Sequence, residues 1–436
     1  MSDPERGDAE RDDEPQRRRI WGIVLDVVAA PAVRQALTVV VFVMALVTPF
    51  LRVFLGWPGL LGALAVVAAA AAVSLAARRR ELEWRGILPI SLLAFCLWIT
   101  ISVFWSEYTW ASVGGILYSL TWAFLGAFVA LSRDLIQVVR ALGDALRAIL
   151  LASIVVEVIS GILIDLPLNF LGVAGNLATG GPVQGIAGTR NDLGFLAGLA
   201  ILTFWIEVRT RSVRRIVSVP FLVLAGMLVL LSRSPVTIVV LAAVGIAGLV
   251  LLVLRRIPAS ARTTLQPVIL VMAVVGSAVA WVFRVRILDF LDATSDFEAR
   301  TRVWSTLSGL VQGRHPVEGW GWVGLWPRDV FPYSSVRLPS GRVAGSALNG
   351  YVDTWFQVGL IGVLLLILAL GLGFARAWLV ASEARSTMNV WPALTLALLG
   401  ATGFAESYLV SEAGFVLAFA ACIAAARKRS WRQALT

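Results

Sequence analysis

Four arginines stand at or beside the ends of apolar stretches: Arg190 in GTRNDLG, Arg233 in LSRSPV, and Arg300 and Arg302 in EARTRVW. A guanidinium at the edge of hydrocarbon is costly and is held there by a partner or a ligand. Its planar fork binds phosphate oxygens bidentately, so several that converge would suit a phosphate or diphosphate. The plainer alternative for each is headgroup contact or an ion pair with Asp192, Asp296 or Glu298. Arg52 is a weaker candidate of the same kind. Glu157 lies inside an apolar run, where a carboxylate is either functional or the partner of one of these arginines. Trp320, Trp322 and Trp326 have the faces to stack on sugar rings. Among 17 tryptophans, however, interfacial anchoring is the commoner role.

Other chemistries lack their residues. His315 is the single histidine, which excludes any site needing two imidazoles from this chain. Cys96 and Cys422 both fall in apolar runs and belong to no zinc or redox motif. No acidic pair at D-x-D spacing lies in an outside loop and there is no P-loop, so neither a metal nor nucleotide hydrolysis is expected. The anticipated site is metal-free and cofactor-free.

The elements that must position these residues are membrane helices. The chain has 436 residues, 58% of them from the hydrophobic set and only 15% charged. Soluble domains are roughly 45–50% apolar even with glycine counted, and about 25% charged. The net charge of +10 therefore reads as the cytoplasmic arginine and lysine excess of a membrane protein, with no nucleic-acid partner. About 20 apolar residues cross a bilayer. Twelve such stretches lie near 36–55, 58–77, 87–105, 110–131, 148–165, 191–207, 216–232, 235–254, 265–284, 351–374, 388–405 and 411–426. With the N-terminus inside, the segments 1–35, 78–86, 132–147, 208–215, 255–264, 375–387 and 427–436 all fall inside, and each carries arginine near a span end. Both termini are thus expected to be cytoplasmic, with residues 1–35 a polar tail followed by a short interfacial helix.

Two outside segments depart from the arginine-poor pattern. One is the Gly-rich stretch 166–190. The other is 285–350, a large extracytoplasmic loop that carries seven arginines. Inside it Ser295-Asp296-Phe297-Glu298 reads as a capping box. A stripe at Val303, Leu307, Leu310 and Val311 follows, and Gly313 is a plausible stop. Arg300 and Trp304 share one face of this helix. The following HPVEGWGWVGLWP reads as an irregular loop.

Residues from about 298 to 362 resemble the O-antigen ligase/polymerase family, membrane glycosyltransferases of the GT-C class. EARTRVW is similar to that family's arginine followed by tryptophan four residues later, at Arg300 and Trp304. HPVEGWGW resembles its Pro-x-x-Gly-x-Gly turn, through Pro316, Gly319 and Gly321. ALNGYVDTWFQVGLIG resembles its His-Asn-x-x-Leu followed by Gly-Leu-Ile-Gly, with Asn349, Val352 and Gly359 to Gly362 in register. LSRS and RNDLG add Arg233 and Asn191. One position departs: the family's catalytic histidine is Leu348 here, and leucine accepts no proton. His315, Asp353, Glu318 and Tyr351 are the substitutes at hand.

The resemblance implies an all-α polytopic GT-C-like protein of about 12 transmembrane helices, with spans 1–9 over 36–284, the large loop over 285–350, spans 10–12 over 351–426 and a basic cytoplasmic tail over 427–436. It also implies an activity at the outer face of the plasma membrane. A glycan on a polyprenyl-diphosphate donor is transferred to a hydroxyl of a glycan or glycolipid acceptor. Arg233 and Arg300 would hold the diphosphate, with Arg190 and Arg302 behind them. Asn349 would position acceptor or loop, His315 or Asp353 would serve as base, and Trp320 and Trp322 would stack on sugar. A lipid-linked glycan flippase, or a non-catalytic component of polysaccharide export, is the rival expectation.

Overall fold

The computed structural model describes residues 30–79, 89–313 and 315–428, and among these the regular elements are all helical. In order they are α1 (Pro31–Leu46), α2 (Thr48–Ala77), α3 (Ile90–Ile101), α4 (Thr109–Ser132), α5 (Leu135–Val158), α6 (Arg190–Thr210), α7 (Arg215–Ser232), α8 (Pro235–Leu254), α9 (Ala259–Val282), α10 (Arg284–Phe290), α11 (Thr294–Gln312), α12 (Gly350–Glu383), α13 (Val390–Thr402) and α14 (Glu412–Lys428). Eight of them are long and apolar enough to cross a membrane: α2, α4, α5 with its continuation to Ile164, α6, α7, α8, α9 and α12. Helix α1 and helix α3 with its 3-10 extension to Phe104 are apolar but shorter. The polar tail and interfacial helix expected before residue 30, and the basic tail after 428, lie outside the described residues.

Several boundaries differ from the hydropathy reading, each for a local reason. The stretch 36–55 is not one helix. The chain breaks at Val47 and again at Gly56, whose φ of 65° sits in the left-handed region, two residues before Pro58. The expected connection 132–147 shrinks to a two-residue turn, because α5 starts at Leu135 and carries Arg140 and Arg147 on its body. Charge there marks a helix that buries one polar pair. Arg147 is ion-paired with Glu207 of α6, donates to Asp144 at 2.9 Å, and stacks over Phe204 at 4.9 Å. The capping box is not used either. Helix α11 begins at Thr294 with Ala293 at its N-cap and no side-chain cap, while Thr294 donates its hydroxyl to Asp289 at 2.8 Å. Gly313 does end that helix.

Helices α6, α13 and α14 form the centre of the bundle and are buried along most of their length. Helix α4 packs on α14 so closely that a Cβ on Gly126 would lie 2.8 Å from Phe419 and 2.9 Å from the Val416 carbonyl. Small residues permit this backbone approach, which supplies the van der Waals contact that holds helices together where hydrophobic burial adds little. One end of the bundle is closed by basic side chains on backbone carbonyls. Arg427 donates to Ala130 at 2.7 Å, Arg133 to Pro31 at 2.9 Å and Arg255 to Arg385 at 2.6 Å. The Arg427 and Arg255 contacts lie at the C-terminal ends of α4 and α12, where a cation complements the partial negative charge of the helix. The opposite end carries the candidate site.

The segment 315–349 contains no α-helix, as expected of its glycines and tryptophans. It is ordered by a docking of two glycine-bearing motifs. Helix α12 is broken at Val358 and Gly359, the latter at φ 68°. There Leu360 donates its amide to the Pro316 carbonyl at 3.2 Å, while Trp320 and Gly321 donate theirs to Phe356 and Gln357 at 3.1 and 2.8 Å. A Cβ on Gly359 would sit 1.9 Å from the Val317 oxygen, so only glycine allows the contact. Side chains of α3 and the residues after it complete the joint. Trp98 donates to the Val358 carbonyl at 2.9 Å and Trp105 to that of Glu318 at 3.0 Å, and the Ser102 hydroxyl accepts from the Trp322 amide at 2.9 Å.

Candidate functional site

The arginine-bearing end is organised by one chain of hydrogen bonds. Ser234, the N-cap of α8, receives the Thr237 amide and donates its hydroxyl to Asn191 Oδ1 at 2.7 Å. Asn191, in the first turn of α6, donates its Nδ2 to Glu406 Oε1 at 2.5 Å. Arg300 of α11 donates to the same oxygen at 2.9 Å. Its other nitrogens donate to the carbonyls of Ala405 at 3.0 Å and Asp296 at 3.1 Å. Asp296 in turn pairs with Arg190. On the far side of Asn191, Asp192 accepts from the Tyr408 hydroxyl, and Tyr408 stacks on Phe195 with ring centroids 4.4 Å apart. Four regions distant in sequence therefore meet: the starts of α6, α8 and α11, and the loop between α13 and α14.

The arginines are not equivalent. Arg300 is buried and each of its three nitrogens donates one hydrogen bond. Arg190 is about one-third exposed and shares its charge with Asp296. Arg302, two residues along the helix from Arg300, points outward with a distant contact of 3.9 Å to Glu298. Arg233 differs from all three. It is exposed, ends α7 in the left-handed conformation (φ 45°), and adjoins Ser234. Among the described residues its guanidinium has no hydrogen-bond or ion-pair partner. Its Nη2 faces Gly180 of the Gly-rich segment, where a Cβ would approach to 3.3 Å. That segment is tied to the end of α7 by the Val183 amide, which donates to the Leu231 carbonyl at 3.0 Å.

Glu406 is the centre of this network that sequence reading missed. Its side chain is 15% exposed. Oε1 takes both hydrogen bonds, and among the described residues Oε2 takes none. Burial, the largest influence, pushes its carboxyl above the ordinary carboxylate range, against the lowering pull of Arg300 and the Asn191 hydrogen bond. The available signal was an acid in a short connection, ESYLV, between two apolar runs.

The residues expected to catalyse take other parts. Asn349 caps α12, accepting the Tyr351 and Val352 amides at 2.9 and 3.1 Å, and donates its Nδ2 to the Phe404 carbonyl at 2.9 Å. It holds the loop that presents Glu406, whose backbone carbonyl accepts from Gly350 at 3.1 Å. Asp353 is buried and satisfied: Oδ1 accepts from Trp326 at 2.9 Å and Gln357 at 2.8 Å, and Oδ2 from the Ala347 amide at 3.1 Å. It braces the turn at 347 and leaves no face for a substrate. His315 pairs with Glu318 at 3.2 Å, beyond the far end of α11. Roughly 18 Å of helix separates Arg300 from Gln312 at 1.5 Å per residue, so the imidazole does not join the arginines. Leu348, next to Asn349, has a left-handed φ of 53°.

Trp320 and Trp322 do not present stacking faces. Both are buried, and Trp322 donates its indole N–H to Ser119 at 3.0 Å. They are core residues of the segment, as Trp326 is. Trp304, four residues after Arg300, donates to the Ala347 carbonyl at 2.9 Å and fastens α11 to the turn before α12. Glu157 is buried and structural. Its Oε1 accepts the amides of Gln184 and Gly185, both at 2.8 Å, anchoring the Gly-rich segment. Arg52 lies over Trp57, 5.1 Å from the ring centroid.

Below the polar chain lies an apolar groove. A small cleft bounded by Asn191, Thr237 and Thr402 shares Gly198, Leu241 and Leu398 with a larger cavity of about 370 Å³ between α6, α8 and α13. The latter is lined by Ile201, Trp205, Val244 and Leu249, together with Gly245 and Gly248. No cluster of potential metal ligands occurs among the described residues. The chain matches no family model, and no curated protein matches it.

Proposed function

We propose that this protein is a membrane glycosyltransferase of the O-antigen ligase/polymerase kind, resident in the plasma membrane. It transfers a glycan from a polyprenyl-diphosphate donor to an acceptor hydroxyl at the outer face. In this reading the eight long apolar helices together with α1, α3, α13 and α14 make twelve crossings. Both termini are cytoplasmic, and residues 284–349 lie outside. The basic end of the bundle is then the cytoplasmic end, as the distribution of arginine requires.

The observation that carries the reading is Arg233. A guanidinium with no hydrogen-bond or ion-pair partner among the described residues adjoins a polar cluster above an apolar cavity between α6, α8 and α13. That is the pairing of features an anionic lipid demands: a cation for the phosphates and an apolar slot for the chain. Arg190, half satisfied by Asp296, is the natural second contact. Arg300 keeps the loop carrying Glu406 in place and adds positive potential behind the leaving group. Hydrogen-bond donors and cations aimed at a departing diphosphate lower the barrier by stabilising the charge it develops.

The test is transfer in proteoliposomes. Purified protein receives a polyprenyl-diphosphate oligosaccharide and envelope glycolipids, and free polyprenyl diphosphate is measured. Release that depends on Arg233, falling at least tenfold in Arg233→Ala with unchanged thermal stability, is the expected result. A folded wild-type protein that releases none would refute the transferase reading and favour movement of the lipid-linked glycan without chemistry.

A further inference from the structure

Transfer to a hydroxyl needs a group that takes its proton, and the described residues narrow the choice. Asp353 has no free oxygen. Asp296 and Asp192 are engaged by Arg190 and Tyr408. His315 lies a helix length away, and position 348 is leucine. Glu406 is different in three respects. It stands within the arginine cluster, its Oε2 accepts no hydrogen bond among the described residues, and its side chain is partly exposed. Its other oxygen is gripped from two directions by Asn191 and Arg300, which fixes the carboxylate plane. The loop behind it is pinned by Asn349 to Phe404 and by Gly350 to Gly403 at 2.8 Å. A base must be both free at one atom and rigid at the rest, and this carboxylate is held in that way.

We propose that Glu406 is the general base of the transferase, an assignment that rests on the reading of the site as a glycan transferase. The acceptor O–H gives its proton to Glu406 Oε2 as the oxygen bonds to the anomeric carbon. The bond from that carbon to the diphosphate oxygen breaks, and polyprenyl diphosphate leaves with the electron pair. The products are the new glycoside, the protonated carboxyl of Glu406 and the diphosphate, and the proton then passes to solvent. Asn191 and Arg300 act as positioning residues. Burial of the carboxyl, which raises its proton affinity, supports the role.

The experiment is steady-state transfer in the same proteoliposomes, with a polyprenyl-diphosphate oligosaccharide as donor and a purified envelope glycolipid as acceptor. Wild type, Glu406→Gln, Glu406→Asp and Arg233→Ala are compared. Gln keeps an oxygen for Asn191 and Arg300 but accepts no proton. Its kcat is expected to fall about 10²–10⁴-fold, the range of a lost general base, with the donor KM within threefold of wild type. Arg233→Ala moves the donor KM instead. Asp retains the charge that Arg300 needs and a proton-accepting oxygen, drawn back by one methylene; where Gln fails to fold it decides the matter through the acid limb of the kcat–pH profile, which is expected to move with the substituted carboxyl. A kcat within threefold of wild type in Glu406→Gln, or an unmoved acid limb in Glu406→Asp, overturns the assignment, while dependence on Arg233 leaves the transferase reading standing. Absence of release by the wild type removes both.

Discussion

The ion pair between Arg147 and Glu207 allows a quantitative test of how this bundle tolerates charge. Glu207 has no exposed side-chain surface and Arg147 has 10%. Glu207 also accepts from Ser218 at 2.9 Å, and Arg147 lies over the adjoining rings of Phe204 and Phe221, 4.9 and 5.8 Å from their centroids. In Arg147→Ala the carboxylate keeps only Ser218, and breaking one side of a buried pair costs roughly 3–5 kcal/mol. Loss of the cation over two aromatic faces contributes about 0.5–2 kcal/mol within that total. Replacing both partners, as in Arg147→Met with Glu207→Leu, removes the charge and refills the slot with a flexible apolar chain, so the double variant is expected within about 1.5 kcal/mol of wild type. Unfolding in mixed detergent micelles, followed for wild type, Arg147→Met, Glu207→Leu and the double variant, gives the coupling energy directly, with Arg147→Ala measured beside them. A coupling of at least ~2 kcal/mol is the expected outcome. The reasoning is refuted if Arg147→Ala costs under ~1 kcal/mol, or if the double variant is as unstable as the sum of the singles.

Two further outcomes follow from the packing of the segment 315–349. Gly359→Ala places a Cβ 1.9 Å from the Val317 oxygen at a left-handed φ of 68°. The backbone conformation alone costs about 1–2 kcal/mol, and the clash separates the two motifs, so limited proteolysis between residues 316 and 349 is expected to accelerate. Trp322→Phe removes a buried indole N–H from Ser119 and is expected to lower stability by about 1–2 kcal/mol while leaving binding of the donor glycan, measured by photocrosslinking, unchanged; a loss of crosslinking at equal stability would restore the sugar-stacking role.

Hydropathy made the helical class legible because long apolar runs have few alternatives, and the turns at 211–214 and 233–234 fall where arginine interrupts them. Helix α5 was foreshortened because Arg140, Asp144 and Arg147 read as a polar connection. A buried pair is invisible when its partner, Glu207, lies 60 residues away. Convergence of Arg190, Arg233 and Arg300 was readable from their place beside span ends, but their inequality was not, since pairing with Asp296 and Glu406 depends on tertiary contacts. Tryptophan misled for the opposite reason: composition records an indole and says nothing of whether its face meets solvent, a sugar or Ser119. The glycine motifs at 316–321 and 359–362 are noticeable separately in sequence, and only the fold makes them one joint.

That joint imposes a schedule on synthesis. Trp98, Ser102 and Trp105 find their partners 260, 220 and 213 residues later in the chain. At roughly 5–20 residues per second, α3 waits about 10–50 s after it is made before those partners exist. During that interval the indole N–H groups of Trp98 and Trp105 lack the acceptors that the folded chain gives them, and an N–H left unpaired in apolar surroundings is costly. Assembly of the segment 315–349 belongs to the last stage of biogenesis, and truncation before residue 358 leaves an early helix without its seat.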